Sequence, residues 1–358
     1  MWNKNSFTQT LNIEYPIIQA GMAGGTTTPE LVAAVSNAGG MGMLGAGYMT
    51  PEAIKNSVRK IRNLTDKPFG VNLFIPNSNV VVDSEAVFQM KEHLKKMGPF
   101  DEETIKVHPE NKSSEQFKKQ LEVTLEEKVP IFSFTFGILG GKETEQLQQQ
   151  GTFIMGTATT VEEAIQLEKN HVDAIVAQGF EAGGHRGTFL GSYEHSLIGT
   201  MALVPQVVDN VRIPVIASGG IMDGRGIVAS LALGASAVQM GTAFLVSQES
   251  GAHPKYKQAV LQSRDTDTVM TKMFSGKPAR GIRNTFIESM WGYEGDIPAY
   301  PLQNALTRPM RNWAKQEGNS EYMSLWAGQA SSLSVETTAF DIVLQLVKGT
   351  ENALKHLQ

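Results

Sequence analysis

The sequence predicts an α/β fold: a (β/α)8 TIM barrel with a helical cap or second domain, and a C-terminal helix that returns to the barrel. Three observations predict it. Eight short apolar runs recur between residues 17 and 241, and a helical pattern follows most of them. Runs such as Ala174 to Gln178 are apolar at successive positions, which suits parallel strands buried on both faces. The glycines gather just after these runs, yet no Gly-x-Gly-x-x-Gly follows the first one. An open doubly wound sheet is therefore the weaker alternative.

The first strand is Ile17 to Gln19, opened by Pro16, and it runs into AGMAGG, Ala20 to Gly25. Thr28-Pro29-Glu30 then starts a helix, with a hydroxyl cap and proline at the first helical position, and Gly39-Gly40 stop it. Met41 to Gly45 forms the second strand. Thr50-Pro51-Glu52 repeats the start signal, and Ala53, Ile54, Val58 and Ile61 recur at helical spacing. The third strand is Phe69 to Phe74, FGVNLF, with Asn72 set among apolar neighbours. Residues 76–128 break the rhythm. Two charge-rich helical stretches, about Ser84 to Lys96 and Ser114 to Lys128, flank a polar loop with Pro99 and Pro109. This stretch reads as a solvated excursion between strands, and a cover over a site entrance is the alternative.

The alternation resumes with a fourth strand at Ile131 to Thr135 and a helix over Lys142 to Gln150. A fifth strand at Thr152 to Gly156 leads to a helix from Thr160 to Lys169, and the sixth strand is Ala174 to Gln178. A helix over Met201 to Asp209, a strand at Pro214 to Ser218, a helix over Gly224 to Leu233 and a strand at Ala237 to Gly241 complete the set. Past Gly251 the rhythm stops. Pro254, Pro278, Pro298, Pro301 and Pro309 punctuate helical pieces and aromatics, so 251–319 reads as a mostly helical cap on a 1–250 barrel. Within 320–358, Ala339, Ile342, Val343, Leu346 and Val347 mark an amphipathic helix that packs back on the barrel.

Composition narrows the function. The 358 residues are 41% hydrophobic and 19% charged, with net charge −5 and no basic block, so no nucleic-acid footprint is present. The absence of cysteine removes disulfides, thiolate metal sites and a Cys nucleophile. MWNKNSFTQTLNIEYP lacks an apolar signal core and no run is long enough to cross a bilayer, so a cytoplasmic protein without a membrane partner is expected. No His/Asp/Glu set has metal-ligand spacing and no G-x-S-x-G elbow occurs, so neither a metal nor a serine triad is expected.

In such a barrel the ligand lies at the C-terminal ends of the strands, with phosphate near the last two βα loops. Ser218-Gly219-Gly220-Ile221 and Gln239-Met240-Gly241-Thr242 stand there, and bare amides with the Thr242 hydroxyl suit a phosphate dianion. Glycine marks any tight strand exit; two adjacent exits of this kind carry more weight than one. Asn72 and Gln178 at strand ends suit the polar edge of a flat heterocycle, or are satisfied core amides. Ala20-Gly21-Met22-Ala23 offers a small apolar surface for a ring. In Ile175 to Gly187, IVAQGFEAGGHRG, a strand opens into a loop with Gly183, Gly184 and His185. His185 is the candidate for proton or charge chemistry; the alternative is a Gly-rich turn with an incidental surface histidine. His171, His195, His253 and His356 read as surface residues.

Together QAGMAGG (Gln19 to Gly25), AAVSNAGGMGMLGAG (Ala33 to Gly47), KPFGVNLF, AQGFEAGGHRG, PVIASGGI and AVQMGTAFL resemble the nitronate monooxygenase family, formerly called 2-nitropropane dioxygenase. YPLQNALTRPMR (Tyr300 to Arg311) and MSLWAGQAS resemble its bacterial form. The resemblance implies FMN on the barrel, held by Asn72, Gln178, Gly183, Gly220, Gln239, Met240, Gly241 and Thr242 beside Ala20, Gly21 and Met22. It places His185 near the reacting carbon, as an anchor for an anion or as a base. The implied reaction is oxidation of alkyl nitronates, including the toxin propionate 3-nitronate, by O2 to carbonyl compounds and nitrite. One departure stands out: the family often has Pro where this chain has Gly21. The closest rival is the flavin-type enoyl-acyl-carrier-protein reductase, which shares the EAGGH loop but consumes NAD(P)H. Inosine-monophosphate dehydrogenase needs a cysteine this chain lacks. From another class, a flavin-binding protein without turnover stays open, although nothing resembles an output domain.

Overall fold

Successive residues of a strand face opposite sides, so strands buried on both faces feed two cores at once. Ile17, Ile175 and Ala177 point outward to the helices, whereas Ile18, Val176 and Ile216 point into the barrel. The computed structural model describes residues 2–76, 82–98 and 111–357.

The sequence pattern assigns no element before Ile17, but the structure begins with helix α1 (Ser6–Leu11), capped by the Asn5 side chain at 2.9 Å from Thr8 N. Phe7, Leu11 and Ile13 plug the bottom of the barrel against Ile18, Met41, Ile131 and Met155. Then come β1 (Ile17–Gln19), α2 (Pro29–Asn37), β2 (Gly42–Gly45), α3 (Pro51–Leu64) and β3 (Phe69–Phe74). Both threonine caps form as their sequence signals require. Thr28 Oγ1 accepts from Leu31 N at 3.1 Å, and Thr50 Oγ1 accepts from Ala53 N at 3.2 Å.

The excursion departs from the solvated reading. Helix α4 (Ser84–Lys95) buries Met90 and Leu94 among Phe274, Phe286, Met290 and Leu306 of the cap. Helix α5 (Asn111–Glu126) lies on α3 and buries Gln120, whose amide donates to Met49 O at 2.7 Å. The physical reason is that Lys and Glu crowd the outer faces and mask a narrow apolar stripe at Ala86, Met90 and Leu94. Pro99 and Pro109 lie outside the described residues.

The rhythm continues through β4 (Ile131–Thr135), α6 (Gly141–Gln149), β5 (Phe153–Ala158), α7 (Val161–Lys169) and β6 (Ala174–Gln178). Strand β5 runs two residues past the expected end because Thr157 and Ala158 pair with Val176 and Ala177. A two-residue strand, β7 (Gly184–His185), precedes α8 (Thr200–Val208), β8 (Val215–Ser218), α9 (Gly224–Ala232), β9 (Ala237–Met240) and the short α10 (Thr242–Leu245). The eight barrel strands are parallel in the order β1-β9-β8-β6-β5-β4-β3-β2. Met41 N to Ile17 O and Gln19 N to Met41 O, both 2.9 Å, close β2 onto β1.

The cap contains α11 (Pro254–Gln262), β10 (Thr268–Thr271), β11 (Ala279–Ile282), α12 (Thr285–Ser289), α13 (Leu302–Leu306) and α14 (Arg308–Gln316). It is not mostly helical at its centre: β10, β11 and β7 form a three-stranded antiparallel sheet. The strand ARGI hides from an apolar-run search because Arg280, only 2% exposed, sits in it. That side chain donates to Phe180 O at 3.1 Å and lies over the Phe180 ring. Residues 323–328 run back through the cap before α15 (Ala339–His356) returns to α2 and α9. Among the described residues no helix is long and apolar enough to cross a membrane.

The α9–α15 contact is set by backbone approach. A Cβ on Gly224 would lie 2.1 Å from Gly349 C and Thr350 N. Gly224→Ala is expected to lower stability in urea melts by about 1–3 kcal/mol, while Gly141→Ala, which meets nothing within 4 Å, should leave it equal or higher. Equal melts for Gly224→Ala and wild type would contradict this packing.

Candidate active site

The C-terminal ends of the barrel strands and the underside of the cap enclose a cavity of about 450 Å³. Ala20, Gly21, Met22, Asn72, Gln178, Gly183, His185, Gly220, Gln239, Met240, Gly241 and Thr242 all line it. The structure thus brings together every candidate residue the sequence singled out; what each holds is a separate question.

One wall is small and tight. A Cβ on Gly21 would stand 2.8 Å from Asn72 Cβ, so this position takes only glycine without displacing the β3 amide. Gly183 packs as closely, with a Cβ 2.6 Å from the Ala327 carbonyl carbon. Gly219 and Gly220 hold φ of +116° and +71°, the left-handed region that glycine occupies without strain. Thr242 Oγ1 accepts from Gly328 N at 3.0 Å, which leaves its own proton to donate.

The two strand-end amides differ. Asn72 donates to Ser133 Oγ at 3.1 Å, and among the described residues no donor reaches its Oδ1. Gln178 is largely committed to the chain: Oε1 accepts from Gly187 N at 2.8 Å and from Arg186, and Nε2 donates to His185 O at 3.1 Å. Gln178 therefore shapes the loop around His185, with one amide proton left over.

That loop is fixed by two buried charges. Arg186, 1% exposed, donates to Gly179 O at 2.6 Å and Ser196 O at 2.7 Å, and burial pushes its guanidinium down to about 10. Glu163 accepts from Thr159 N and Oγ1, both 2.6 Å, and from Phe189 N and Leu190 N at 2.6 and 2.9 Å. Four donors satisfy a buried carboxylate.

His185 lies on a strand rather than in a loop. Its register partner is Ala279, and Arg186 N donates to Pro278 O at 2.9 Å. The ring sits among Phe136, Tyr300 and Trp326, with centroids 5.4–5.9 Å away. Nε2 meets Ser275 Oγ at 2.8 Å. Burial first, then Lys277 and Arg311, push the imidazole down to about 3, so it is neutral at ordinary pH. Of the two ways the sequence reading lets His185 anchor an anion, by charge or by hydrogen bonding, burial disfavours the charged one. Positive charge comes instead from the cap. Lys277, pushed by burial down to about 8, lies 4.7 Å over the Phe136 ring and donates to Thr188 O. Arg308, Arg311 and Lys315, spaced along one face of α14, line the cavity. No carboxylate pairs with them among the described residues, none of the lining residues is Asp or Glu, and Arg311 Nε is buried without a partner.

Sequence reasoning missed these cations, Ser275, Lys277 and the aromatic box. The resemblance quoted Tyr300 to Arg311 without giving it a place; FSGKPARG carries no signal beyond a turn. Phe136 holds φ +78°, an uncommon value for a bulky residue at a strand exit. His253 is half-buried and lines the cavity, not the open surface: its Nδ1 caps α11 by accepting from Lys255 N at 3.1 Å. His171, His195 and His356 are exposed. Among the described residues no group of His, Asp and Glu could hold a metal ion.

Comparison with known proteins places the whole chain. The family model described as nitronate monooxygenase matches residues 4–349. A probable nitronate monooxygenase of Staphylococcus haemolyticus is 49% identical over 359 residues, 99% of each chain. Among solved structures, nitroalkane oxidase from Streptomyces ansochromogenes superposes with TM-score 0.89 at 37% identity, covering 99% of this chain and 100% of that one. FabK from Thermotoga maritima gives 0.76 at 33%, covering 99% and 98%.

Burial of His185 has a pH consequence. Unfolded, the ring takes a proton near 6.5; folded, it resists down to about 3. The unfolded state binds the extra proton within that window, so stability falls as pH drops through it. Urea melts at about pH 7 and about pH 4.5 should show a larger loss for wild type than for His185→Gln. Equal losses would contradict a buried, neutral imidazole.

Proposed function

The chain belongs to the nitronate monooxygenase family, and on that premise we propose that it binds FMN and oxidises alkyl nitronates, propionate 3-nitronate among them, with O2 to carbonyl compounds and nitrite. One observation carries the reading: a cavity with no acidic lining residue, in which Arg308, Arg311 and Lys315 of α14, without a carboxylate partner among the described residues, share the wall with a neutral histidine. Such a site attracts an anion and leaves a bare imidazole beside it.

The residues fit FMN. Ala20, Gly21 and Met22 leave a shallow wall for a ring, and Asn72 Oδ1 and the Gln239 amide have no partners among the described residues. A Cβ at Gly241 would only touch Ala20 and Met22 at 3.8 Å, and Gly241 lines the cavity together with Gly219, Gly220 and Thr242. These groups suit the phosphate. When bound, FMN supplies the electron acceptor for the nitronate, which the side chains lack.

The chain's own residues do the rest. Arg311, half-buried and close enough to depress His185, holds the anionic nitronate, and Arg308 and Lys315 at the rim draw it in. His185 presents one neutral ring nitrogen at the reacting end without adding charge. For a neutral nitroalkane the same ring is a base, a lesser role because burial holds its basicity low. Phe136, Tyr300 and Trp326 exclude water around it.

His185→Asn is expected to keep its flavin and to lose about 100-fold or more in nitronate turnover. Arg311→Met should raise KM for the nitronate about tenfold and weaken its salt dependence. Loss of flavin from His185→Asn with turnover per bound flavin intact would overturn the assignment of His185.

A further inference from the structure

We propose that Ser275 is a positioning residue for the reaction assigned above: it fixes the tautomer and ring plane of His185, so that Nε2 carries the proton and Nδ1 presents the lone pair. The inference rests on the function just proposed, but its first readout does not.

Hydrogen-bond accounting around the serine carries it. Ser275 is 1% exposed and lies in the turn between β10 and β11. Its Oγ stands 2.8 Å from His185 Nε2, 3.0 Å from Lys277 O and 3.3 Å from Lys277 N. A serine has one proton and two lone pairs. If the proton goes to Lys277 O, the two lone pairs accept the Lys277 N–H and the His185 Nε2–H, and every polar group is satisfied. If the proton goes to Nε2, the Lys277 carbonyl loses this donor inside the protein, which is costly. The first arrangement wins, and it places the histidine proton on Nε2. Nδ1 makes no hydrogen bond with any described residue, and the ring lines the cavity. The nearby charges, Lys277 and Arg311, both oppose a second proton on the ring, and Tyr300 is the titratable ring packed against it.

The turn that carries Ser275 is held from the far side. Thr307 Oγ1 donates to Phe274 O at 2.5 Å and Gln303 Nε2 donates to Met273 O at 2.7 Å. Gly276, at φ +80°, lets the turn close against Pro298 O, which a Cβ would meet at 2.2 Å. Helices α13 and α14 thus set where the serine oxygen stands, and the serine sets the imidazole. The hydrogen bond made by one ring nitrogen decides the state of the other.

The test uses flavin-loaded protein with isotopically labelled histidine nitrogen at about pH 7. Wild type, Ser275→Ala and Ser275→Thr are compared, with His185→Gln identifying the resonances. The wild type is expected to show a protonated Nε2 and a bare Nδ1. In Ser275→Ala the two nitrogen signals should converge as tautomers exchange. Flavin content should stay the same, and kcat on a nitronate should fall about tenfold or more with KM within about twofold. Ser275→Thr should restore the split and the rate. A wild type with its proton on Nδ1 overturns the proposal without any variant, as does a split or a rate that survives in Ser275→Ala. The signature is read without substrate, so failure of the tautomer and failure of nitronate chemistry are separate results.

Discussion

A short backbone pairing governs the site: β7 on β11, with His185 opposite Ala279 and Gly184 opposite Arg280. The barrel alone would leave residues 179–199 as a long loop, free to place the histidine in many orientations at an entropic cost. The pairing makes that loop an edge of the cap sheet. It also draws the turn with Ser275 and Lys277 to within bonding distance of the barrel mouth. A slip of one residue would turn His185 to the other face of the sheet and away from the cavity. Arg186 and Glu163 tie down the rest of the loop through backbone groups, which explains why both charges can be buried at all.

The cavity's electrostatics follow from that construction. The barrel contributes glycines, small apolar side chains and neutral amides, and the cap contributes the charge. A cation without a carboxylate partner among the described residues is costly to bury, and burial shows in the lowered Arg311. Protein stability gains nothing from leaving it unpaired. The anionic ligand proposed above would offset this imbalance, with the neutral histidine adding no competing charge.

Much of the barrel was legible because its strands and helix starts obey local rules. Thr28-Pro29 and Thr50-Pro51 cap as their residue types demand, and Phe69 to Phe74 and Ala174 to Gln178 are strands from end to end. The glycine-rich strand exits also converge where the barrel topology puts them. The cap was not legible in the same way. TVMT and ARGI lack an apolar alternation; they become strands by pairing with each other, and ARGI also pairs with a dipeptide nearly a hundred residues earlier. The partners of His185 escaped for a related reason. Ser275 and Lys277 look like turn residues, and Arg311 like a solvated helix face, until the tertiary contacts are drawn. In α4, charge density concealed three buried positions.

The most direct test of the account is oxygen uptake by the purified protein with propionate 3-nitronate as the only added reductant. The expected result is a flavin-coloured protein that consumes O2 and releases nitrite at once, without NADH or NADPH. A coloured protein that ignores the nitronate, yet oxidises NAD(P)H while reducing a short enoyl thioester, would contradict it. That outcome would move the same barrel and cavity to the reductase reading.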